Sequence, residues 1–470
     1  MSDEPPSSRR PADNVAERLR RLQHLGVQRG VAGLKSPPPK AAPPATPPQQ
    51  AHDHRGNWTG VGDRPHSSPA PGQEVLTPYG PCLVVEAAYP LSTVRGGVSL
   101  DALLRISGQA VAACAHGADP AGFELRRAAF LDTETTGLSG GAGTLAFMVG
   151  IGAFEPTAGE ASAFVVRQVF MRSPAEERAL LHVVAELLGR CAGLVSFNGR
   201  AFDAPLLATR FALNRLPSSL HGLPHLDLLP LARQRWRWRL PSCAMSALER
   251  DILAFRRSQE DVPGWLIPSL YRDYAATGNF DVVAPVFYHN REDVLSMAPL
   301  AAILCAPFDG GADAEILFPS HPADGVSLGR AYEELGWLAR SEAAYRRALA
   351  SSLAPELRRA ALSRLGDLLK RQGRHAEAAE VWLEWITSVS GPDLTPYVEL
   401  AKHAEWREGD LAAARKWTLW ALHLAQGQPA GPDREQVLAE LRHRLARIEA
   451  KLAGRRPEAT GDASRADPSS

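Results

Sequence analysis

Residues 130–138 have the sequence FLDTETTGL, and this stretch decides the predicted fold. Asp132 and Glu134 are two positions apart, directly after the apolar residues 128–131. Because alternate side chains of a β-strand point to the same face, both carboxylates leave the end of one buried strand on one side. Clustered carboxylates repel one another unless a cation or a proton neutralises them, so the pair predicts a cation site at this strand end.

Two more carboxylates lie at the edges of separate apolar segments. Asp203 follows SFNGRAF at 196–202, and Asp293 lies in YHNREDV at 288–294. Two hard divalent cations about 3.5–4 Å apart need a ring of oxygen ligands. Carboxylates from distant parts of a chain can form such a ring. An all-oxygen ligand set favours two Mg²⁺ or Mn²⁺ ions and argues against zinc.

These three segments resemble the three exonuclease motifs of the DEDD superfamily, which has an RNase H-like fold and hydrolyses nucleic acids with two metal ions. The chain is most similar to the bacterial YprB-like branch, in which such a domain is joined to tetratricopeptide (TPR) repeats. The resemblance covers about 75–450. It implies a 3′–5′ exonuclease acting on DNA or RNA at a single-stranded 3′ end, with Asp132, Glu134, Asp203 and Asp293 as catalytic metal ligands.

A fifth catalytic residue is expected to orient or deprotonate the attacking water. The family has either a His five residues before the last Asp or a Tyr four residues before it, whereas here His289 is four and Tyr288 five residues before Asp293. Each helical residue turns by 100°, so His289 shares a face with Asp293 and Tyr288 does not. Imidazole also ionises near neutral pH. We predict that His289 has this role; a histidine that only packs or hydrogen-bonds is the alternative.

Four residues beside the carboxylates are candidate substrate contacts: Thr135, Leu138, Asn198 and Phe202. In the family, the loop that carries the first two packs against the terminal nucleotide. An Asn-Gly turn explains Asn198 equally well, and core packing is the favoured alternative to base stacking for Phe202. We interpret Asp227, a fifth acidic residue at a strand end, as structural; a catalytic contribution is the alternative.

Residues 233–239, RQRWRWR, form a basic and aromatic stretch. Its arginines could pair with phosphates and its tryptophans could stack on bases. The alternative is a solvated helix face with its tryptophans in the core.

The order of predicted elements favours an α/β RNase H-like mixed sheet with flanking helices, followed by an all-α TPR solenoid. The predicted strands are 128–133, 145–154, 163–170, 194–197 and 226–229, and the closing helix is 282–304. The predicted organisation is a disordered Pro-rich region at 1–74, a small β-rich lead-in at 75–127, the RNase H-like exonuclease domain at 128–308, TPR-like helical repeats at 318–453 and a disordered tail at 454–470.

The repeats are predicted from glycine spacing. Gly329 and Gly336 recur 37 residues later as Gly366 and Gly373, and Gly409 follows 36 residues after that. This period predicts three helix pairs, closed by a capping helix. Such stacks commonly bind a peptide or another protein, so we expect a protein partner here; a purely structural role is the alternative.

Composition excludes several classes of protein. Lys+Arg and Asp+Glu are equal at 52 each, so any nucleic-acid affinity must come from a local patch. The five scattered cysteines include no C-x-x-C pair, which argues against a disulfide framework and fits a reducing compartment. The N-terminus lacks an apolar signal segment, and the longest apolar stretch, 294–308, is too short to span a bilayer. We therefore expect a cytoplasmic protein without a membrane partner.

Three functions are compatible with this sequence. A metal-dependent exonuclease with a protein-binding repeat module is favoured, because all four carboxylates are present. The second is an interaction scaffold whose nuclease domain is inactive. The third is an RNase H-type endonuclease. The histidine one turn before the last carboxylate argues against this function. The sequence leaves DNA and RNA equally open as substrates.

Overall fold

The computed structural model describes residues 71–115, 123–137, 143–156, 162–258, 261–309 and 321–454. All of these segments lie within the unit 64–470. The predictions of a disordered region at 1–74 and a disordered tail at 454–470 fall almost entirely outside the described residues. At the margin, the first strand already begins at Gln73.

Within the described residues, seven strands form one mixed sheet in the order β1-β2-β7-β6-β5-β8-β9, and β3 and β4 form a separate ribbon. The central strand β5 is antiparallel to β6 and parallel to β8. The strands are β1 (Gln73–Thr77), β2 (Gly80–Pro90), β3 (Val94–Arg95), β4 (Val98–Ser99), β5 (Ala128–Thr135), β6 (Ala146–Pro156), β7 (Ser162–Phe170), β8 (Gly193–Ser196) and β9 (His225–Asp227).

Seven helices accompany this sheet in the described part of 71–309. The last of them, α7, packs against β5, β6 and β7. The helices are α1 (Gly108–Cys114), α2 (Glu177–Leu188), α3 (Asp203–Leu213), α4 (Leu228–Trp236), α5 (Met245–Asp251), α6 (Ile267–Thr277) and α7 (Phe280–Cys305). Short 3₁₀ turns occupy Leu100–Arg105, Leu125–Arg127, Pro174–Glu176, Gly264–Leu266 and Ala306–Phe308.

The sheet separates two apolar cores. Along β5, Ala128 and Phe130 belong to the core that contains α4 and the second half of α7, while Ala129 and Leu131 belong to the core of α2 and α6. Alternation therefore buries both faces of β5 up to Leu131, so that the next residues reach the end of a rigid, fully covered strand.

The predicted mixed sheet with flanking helices is confirmed, with two differences. The fifth strand ends at Asp227 rather than residue 229, because the Asp227 carboxylate accepts a hydrogen bond from the Leu229 amide at 3.1 Å and caps α4. The β-rich lead-in is not a sheet of its own: β2 pairs with β7 from Leu83↔Phe170 to Pro90↔Ala163, so β1 and β2 extend the main sheet.

The described C-terminal residues, 321–454, are helical, and each helix packs against the next in sequence. A five-residue π-helix, Ala404–Glu408, follows the fifth of them. The helices are α8 (Pro322–Glu334), α9 (Leu338–Leu349), α10 (Pro355–Arg371), α11 (His375–Ser388), α12 (Thr395–His403), α13 (Leu411–Gln426) and α14 (Pro432–Gly454).

The period of 37 residues is visible in the packing of these helices. A Cβ on Gly329 would lie 2.5 Å from the Tyr345 ring, and a Cβ on Gly366 would lie 2.5 Å from the Trp382 indole. Both partners are also 37 residues apart, so α8–α9 and α10–α11 make the same close helix contact. The glycines at the three helix turns, Gly336, Gly373 and Gly409, have φ of 74°, 78° and 69°. The assignment of these pairs to the TPR class stays a prediction.

The helical region is joined to the sheet region through shared packing. Tyr332 on α8 donates a hydrogen bond to the Pro307 carbonyl at 2.7 Å, and its ring contacts Phe308 and Trp337. In the part of the chain that the structure describes, no helix combines the length and apolar character needed to cross a bilayer.

Candidate active site

Asp132 is held by a buried amide. The Asn290 Nδ2 donates to Asp132 Oδ2 at 2.8 Å, and Gln168 Nε2 donates to Asn290 Oδ1 at 3.0 Å, which fixes the orientation of the Asn290 amide. Gly150 lies opposite Asp132 on β6, and a Cβ there would overlap the Asn290 amide. The glycine therefore makes room for the side chain that orients Asp132.

Asp203 is the first residue of α3, and its side chain reaches back to β5. Its Oδ1 accepts a hydrogen bond from the Thr133 amide at 3.1 Å and another from the Thr133 hydroxyl. A Cβ on Gly199 would overlap Ser196 and lie 3.1 Å from Asp203 Oδ2, so the preceding turn needs glycine to place this carboxylate. Burial raises the pKa of Asp203 to about 6, although the hydrogen bonds from Thr133 act to lower it.

Asp293 and His289 lie one turn apart on α7. His289 Nε2 is 3.6 Å from Asp293 Oδ2 and 4.0 Å from Glu134 Oε1, while its Nδ1 is 2.8 Å from Asp261 Oδ1. Tyr288 is buried, with its hydroxyl 3.4 Å from Ser258 Oγ. Helical spacing thus brings His289, and not Tyr288, to the carboxylates.

The carboxylates sit in an electrostatically unfavourable place. Burial and the charges of Asp293 and Asp203 raise the pKa of Asp132 well above its usual range. Burial, followed by the charge of Asp132, does the same to the pKa of Glu134. Among the described residues, the buried Oε1 of Glu134 has no hydrogen-bond partner. Among the described residues, the positive charge near the carboxylates therefore does not offset their burial and mutual repulsion, and a buried oxygen of Glu134 is left without a hydrogen bond.

One arginine supplies part of that charge. Arg257 contacts Glu249 through two nitrogens at 2.9 Å each, Asp261 at 2.9 Å, and Asp293. Its side chain is only 8% exposed. Ser296 also donates to Glu249 Oε1 at 2.6 Å. Arg257 thus ties Asp293 to a buried network beneath the site.

The comparisons with known proteins agree with this sheet. Residues 129–305 match the family model of the RNase_H superfamily. Over 225 residues the chain is 34% identical to "Uncharacterized protein YprB" of Bacillus subtilis (strain 168), a match that covers 47% of this chain and 52% of YprB. The chain therefore spans about half the length of this relative.

Among solved structures, the chain is similar to the family B DNA polymerase from the hyperthermophilic archaeon Pyrobaculum calidifontis. The TM-score is 0.30 and the identity 14%, over 44% of this chain and 28% of the polymerase. A likeness of this size carries no argument about function. The family match and the strand order support an RNase H-like domain.

The donor set of this RNase H-like domain fits hard divalent cations in charge and in type of ligand. Glu134 and Asp203 are buried, Asp132 and Asp293 are partly buried, and Glu134 Oε1 has no hydrogen-bond partner among the described residues. The carboxylates also repel one another, as a cation site requires of its empty ligands. In the described residues, no three His, Cys, Asp or Glu side chains surround a common point as a metal cage does. Asp203 and Asp293 each have one oxygen bonded elsewhere, to Thr133 and Arg257.

The structure describes three of the four predicted substrate contacts, and their surroundings differ. Thr135 Oγ1 donates to the Gly137 carbonyl at 2.7 Å, which is the hydrogen bond of a turn. Leu138 lies outside the described residues. Phe202 is 56% exposed, so the prediction that it packs in the core is wrong.

Asn198 has a φ of +70°, which makes it a left-handed turn residue. The backbone N–H of Asn198 donates to Asp227 Oδ1 at 2.7 Å, and the backbone N–H of Arg200 donates to Asp227 Oδ2 at 3.1 Å. Asp227 also caps α4. It therefore organises the turn before Asp203, in keeping with its interpretation as structural.

Sequence reasoning missed the residues around the carboxylates. Asn290 carried a usable signal, because it is three residues before Asp293 and shares its helix face. No comparable sequence signal marks Arg257, Asp261 and Glu249, because these residues reach the site from an irregular loop and a short helix.

Proposed function

We propose that this chain is a divalent-cation-dependent nuclease that hydrolyses phosphodiester bonds of DNA or RNA as a 3′–5′ exonuclease of the DEDD type. The observation that carries the proposal is the group of buried and partly buried carboxylates on the RNase H-like domain, in which Glu134 Oε1 has no hydrogen-bond partner among the described residues. A buried acidic group with strongly raised pKa values is typical of a functional site rather than a structural one.

Asp132, Glu134, Asp203 and Asp293 would hold two Mg²⁺ or Mn²⁺ ions. Such ions, when bound, activate water at neutral pH and neutralise charge on the phosphate. The chain itself keeps the ligands in place: Asn290 orients Asp132, and Thr133 ties Asp203 to β5.

His289 is proposed to take the proton of the attacking water. Its Nδ1–H donates to Asp261, which leaves Nε2 facing Glu134 and Asp293 as the proton acceptor. Burial opposes protonation of His289, yet the hydrogen bond with Asp261 and the charge of Asp293 raise its pKa above the usual value.

Two further contacts complete the proposal. Phe202 is exposed directly before Asp203, and this exposure supports a role in stacking on a base of the substrate. The helix pairs of 321–454 form a TPR-like module that recruits a protein partner.

The test uses purified full chain and 5′-labelled single-stranded DNA and RNA of equal length, with Mg²⁺, Mn²⁺ or EDTA. Asp132→Asn/Glu134→Gln removes two ligand charges, and Asp273→Asn removes an exposed carboxylate of the same domain as the matched control. We expect a ladder that shortens from the 3′ end with the parent and the control, and none with EDTA or the double variant.

Other outcomes would change the assignment. Cuts at internal positions would favour the RNase H-type endonuclease. No cleavage of either strand, or of a duplex with a 3′ overhang, would favour a scaffold with an inactive nuclease domain.

A further inference from the structure

A cleft lies between the RNase H-like domain and the helical region, and the proposed catalysis does not use it. It has a volume of about 590 Å³ and is lined by helices α4, α8 and α10. The charged and aromatic residues of its lining are Arg233, Arg237, Trp238, Arg330, Glu334 and Arg364.

The cleft is a local concentration of positive charge in a chain with a formal net charge of zero. Arg330 is paired with Glu334 at 2.8 Å, and both side chains are more than 40% exposed. Arg364 is 42% exposed and pairs with Glu333 at 3.3 Å. The exposed Arg330–Glu334 pair contributes little to stability, and Glu333 keeps Arg371 as a second partner, so both arginines can turn to another anion.

The α4 side of the cleft adds two more arginines. Within the described residues, no carboxylate lies within 4 Å of Arg233 or Arg237. Arg233 lies in the last turn of α4, and Arg237 is the residue directly after this helix; four positions apart, they lie on the same side of it. The Arg237 guanidinium also lies 5.1 Å from the centre of the Trp238 ring, which is 51% exposed.

The other residues of the RQRWRWR stretch fix the walls of the cleft. Trp236 is buried in the core, and burial lowers the pKa of Arg235, whose charge faces Asp324 of α8. Arg239 donates to Asp324 at 3.0 Å. The stretch is therefore divided: three side chains anchor the junction with α8, and Arg233, Arg237 and Trp238 remain for a ligand.

We propose that a single strand of nucleic acid binds in this cleft, with its phosphates paired to Arg233, Arg237, Arg330 and Arg364. The identity of the ligand rests on the proposed nuclease function. Guanidinium groups match phosphate oxygens in two-pronged pairs, and a base stacks on an exposed indole such as Trp238. An acidic peptide would use the charges but would not stack on the exposed indole of Trp238, so nucleic acid is the better fit.

The placement of α4 connects the cleft to the active site. The helix begins directly after Asp227, whose carboxylate also holds the turn before Asp203. Arg233 is six residues further on, about 9 Å along the axis at 1.5 Å per residue. A strand with its end at the carboxylates would thus run along α4 to the helical region, which makes the repeats part of the nucleic-acid surface.

The test is binding without catalysis. Fluorescence anisotropy of a 5′-fluorescein oligothymidylate is measured with full chain in EDTA, over a series of KCl concentrations. Single-stranded contacts change log K by about −0.7 per phosphate and decade of salt, so four arginines give a slope of about −2.8. Arg233→Gln/Arg237→Gln should reduce that slope by about 1.4 and weaken binding about 25-fold at 0.1 M salt, by the same relation.

The matched control is Arg126→Gln/Arg415→Gln, which removes two exposed arginines outside the cleft. We expect its slope to equal that of the parent. Trp238→Ala should weaken binding at least about fivefold with the slope unchanged, since base stacking is not ionic. Circular dichroism establishes that each variant is folded.

Equal slopes for the cleft pair and the control pair would overturn the proposal. A second comparison uses an acidic peptide, fluorescein-labelled oligoglutamate. The proposal would also be overturned if Arg233→Gln/Arg237→Gln lowered the affinity for this peptide but not the affinity for the oligonucleotide. Thymidine 5′-p-nitrophenyl phosphate is small enough to occupy the carboxylates alone, and the control Arg126→Gln/Arg415→Gln should hydrolyse it as the parent does. If the parent fails to hydrolyse it and the labelled strands, the nuclease function fails, while the binding comparison in EDTA still decides the cleft.

Discussion

Replacing Arg257 with methionine removes a guanidinium that joins Asp293 to the buried Glu249. The side chains of Arg257 and Glu249 are 8% and 4% exposed, and two of their atom pairs are 2.9 Å apart. Among the described residues, the hydrogen bond from Ser296 is then the remaining side-chain hydrogen bond to Glu249. Removing one partner of a buried ion pair costs about 3–5 kcal/mol, because the other charge stays buried and unpaired.

The assay is native-state hydrogen exchange in EDTA, read on peptides of α5 and α7. This readout reports local opening and avoids assuming that the whole chain unfolds in one step. A loss of 3–5 kcal/mol corresponds to exchange roughly 200- to 5,000-fold faster, at about 1.36 kcal/mol per factor of ten. Arg250→Met is the control, since Arg250 is 56% exposed and pairs with Asp251 at the surface; its exchange should match that of the parent.

A second variant separates loss of the pair from loss of packing. Glu249→Leu added to Arg257→Met removes the stranded carboxylate, and replacing a buried ion pair by apolar groups is often neutral. The double variant should therefore exchange at least 30-fold more slowly than Arg257→Met, a coupling of about 2 kcal/mol. If Arg257→Met behaves like Arg250→Met, or if the two substitutions simply add, the network does not stabilise the site as argued.

Three further predictions concern the carboxylates and their neighbours. The raised pKa of Asp203 means that the folded state prefers its protonated form, so stability is lost as pH rises from 3.8 through about 6; Asp203→Asn should stabilise the metal-free protein at pH 8 by up to about 3 kcal/mol and not below pH 4, in thermal melts in EDTA. Since the pKa of His289 is also raised, cleavage should increase with pH as the imidazole becomes neutral; His289→Gln should lower the rate 10²- to 10⁴-fold and flatten that rise in a pH–rate profile. Gly150→Ala should displace Asn290 and reduce kcat at least about tenfold in a folded protein, whereas Gly143→Ala, which meets no neighbouring atom within 4 Å, should not.

The sequence was most informative where one regular element carries the signal. Alternation along β5 is enough to place Asp132 and Glu134 on one face, and the 100° turn of a helix is enough to choose His289 over Tyr288. In both cases the geometry follows from neighbouring positions. No distant part of the chain has to be known.

The sequence was least informative where segments meet. Arg257 contacts Asp293 across 36 residues and Glu249 across 8, through a loop without periodicity. For Phe202, core packing was the favoured alternative to base stacking, but the side chain is exposed directly before α3, where hydrophobicity does not decide burial. The end of β9 was misplaced because a side-chain cap, rather than strand propensity, determines where α4 begins.

The pairing of β2 with β7 determines what can be cut from this protein without harm. The family match begins at residue 129 and so omits both β1 and β2. Cutting there would turn β7 into an open edge that presents Val165, Val166 and Val169 beside a row of unpaired amides and carbonyls. Exposed apolar edges of this kind recruit strands from other molecules. By covering this edge, the segment 73–90 should prevent self-association. The smallest fragment that does not aggregate should therefore start before Gln73 rather than at residue 129.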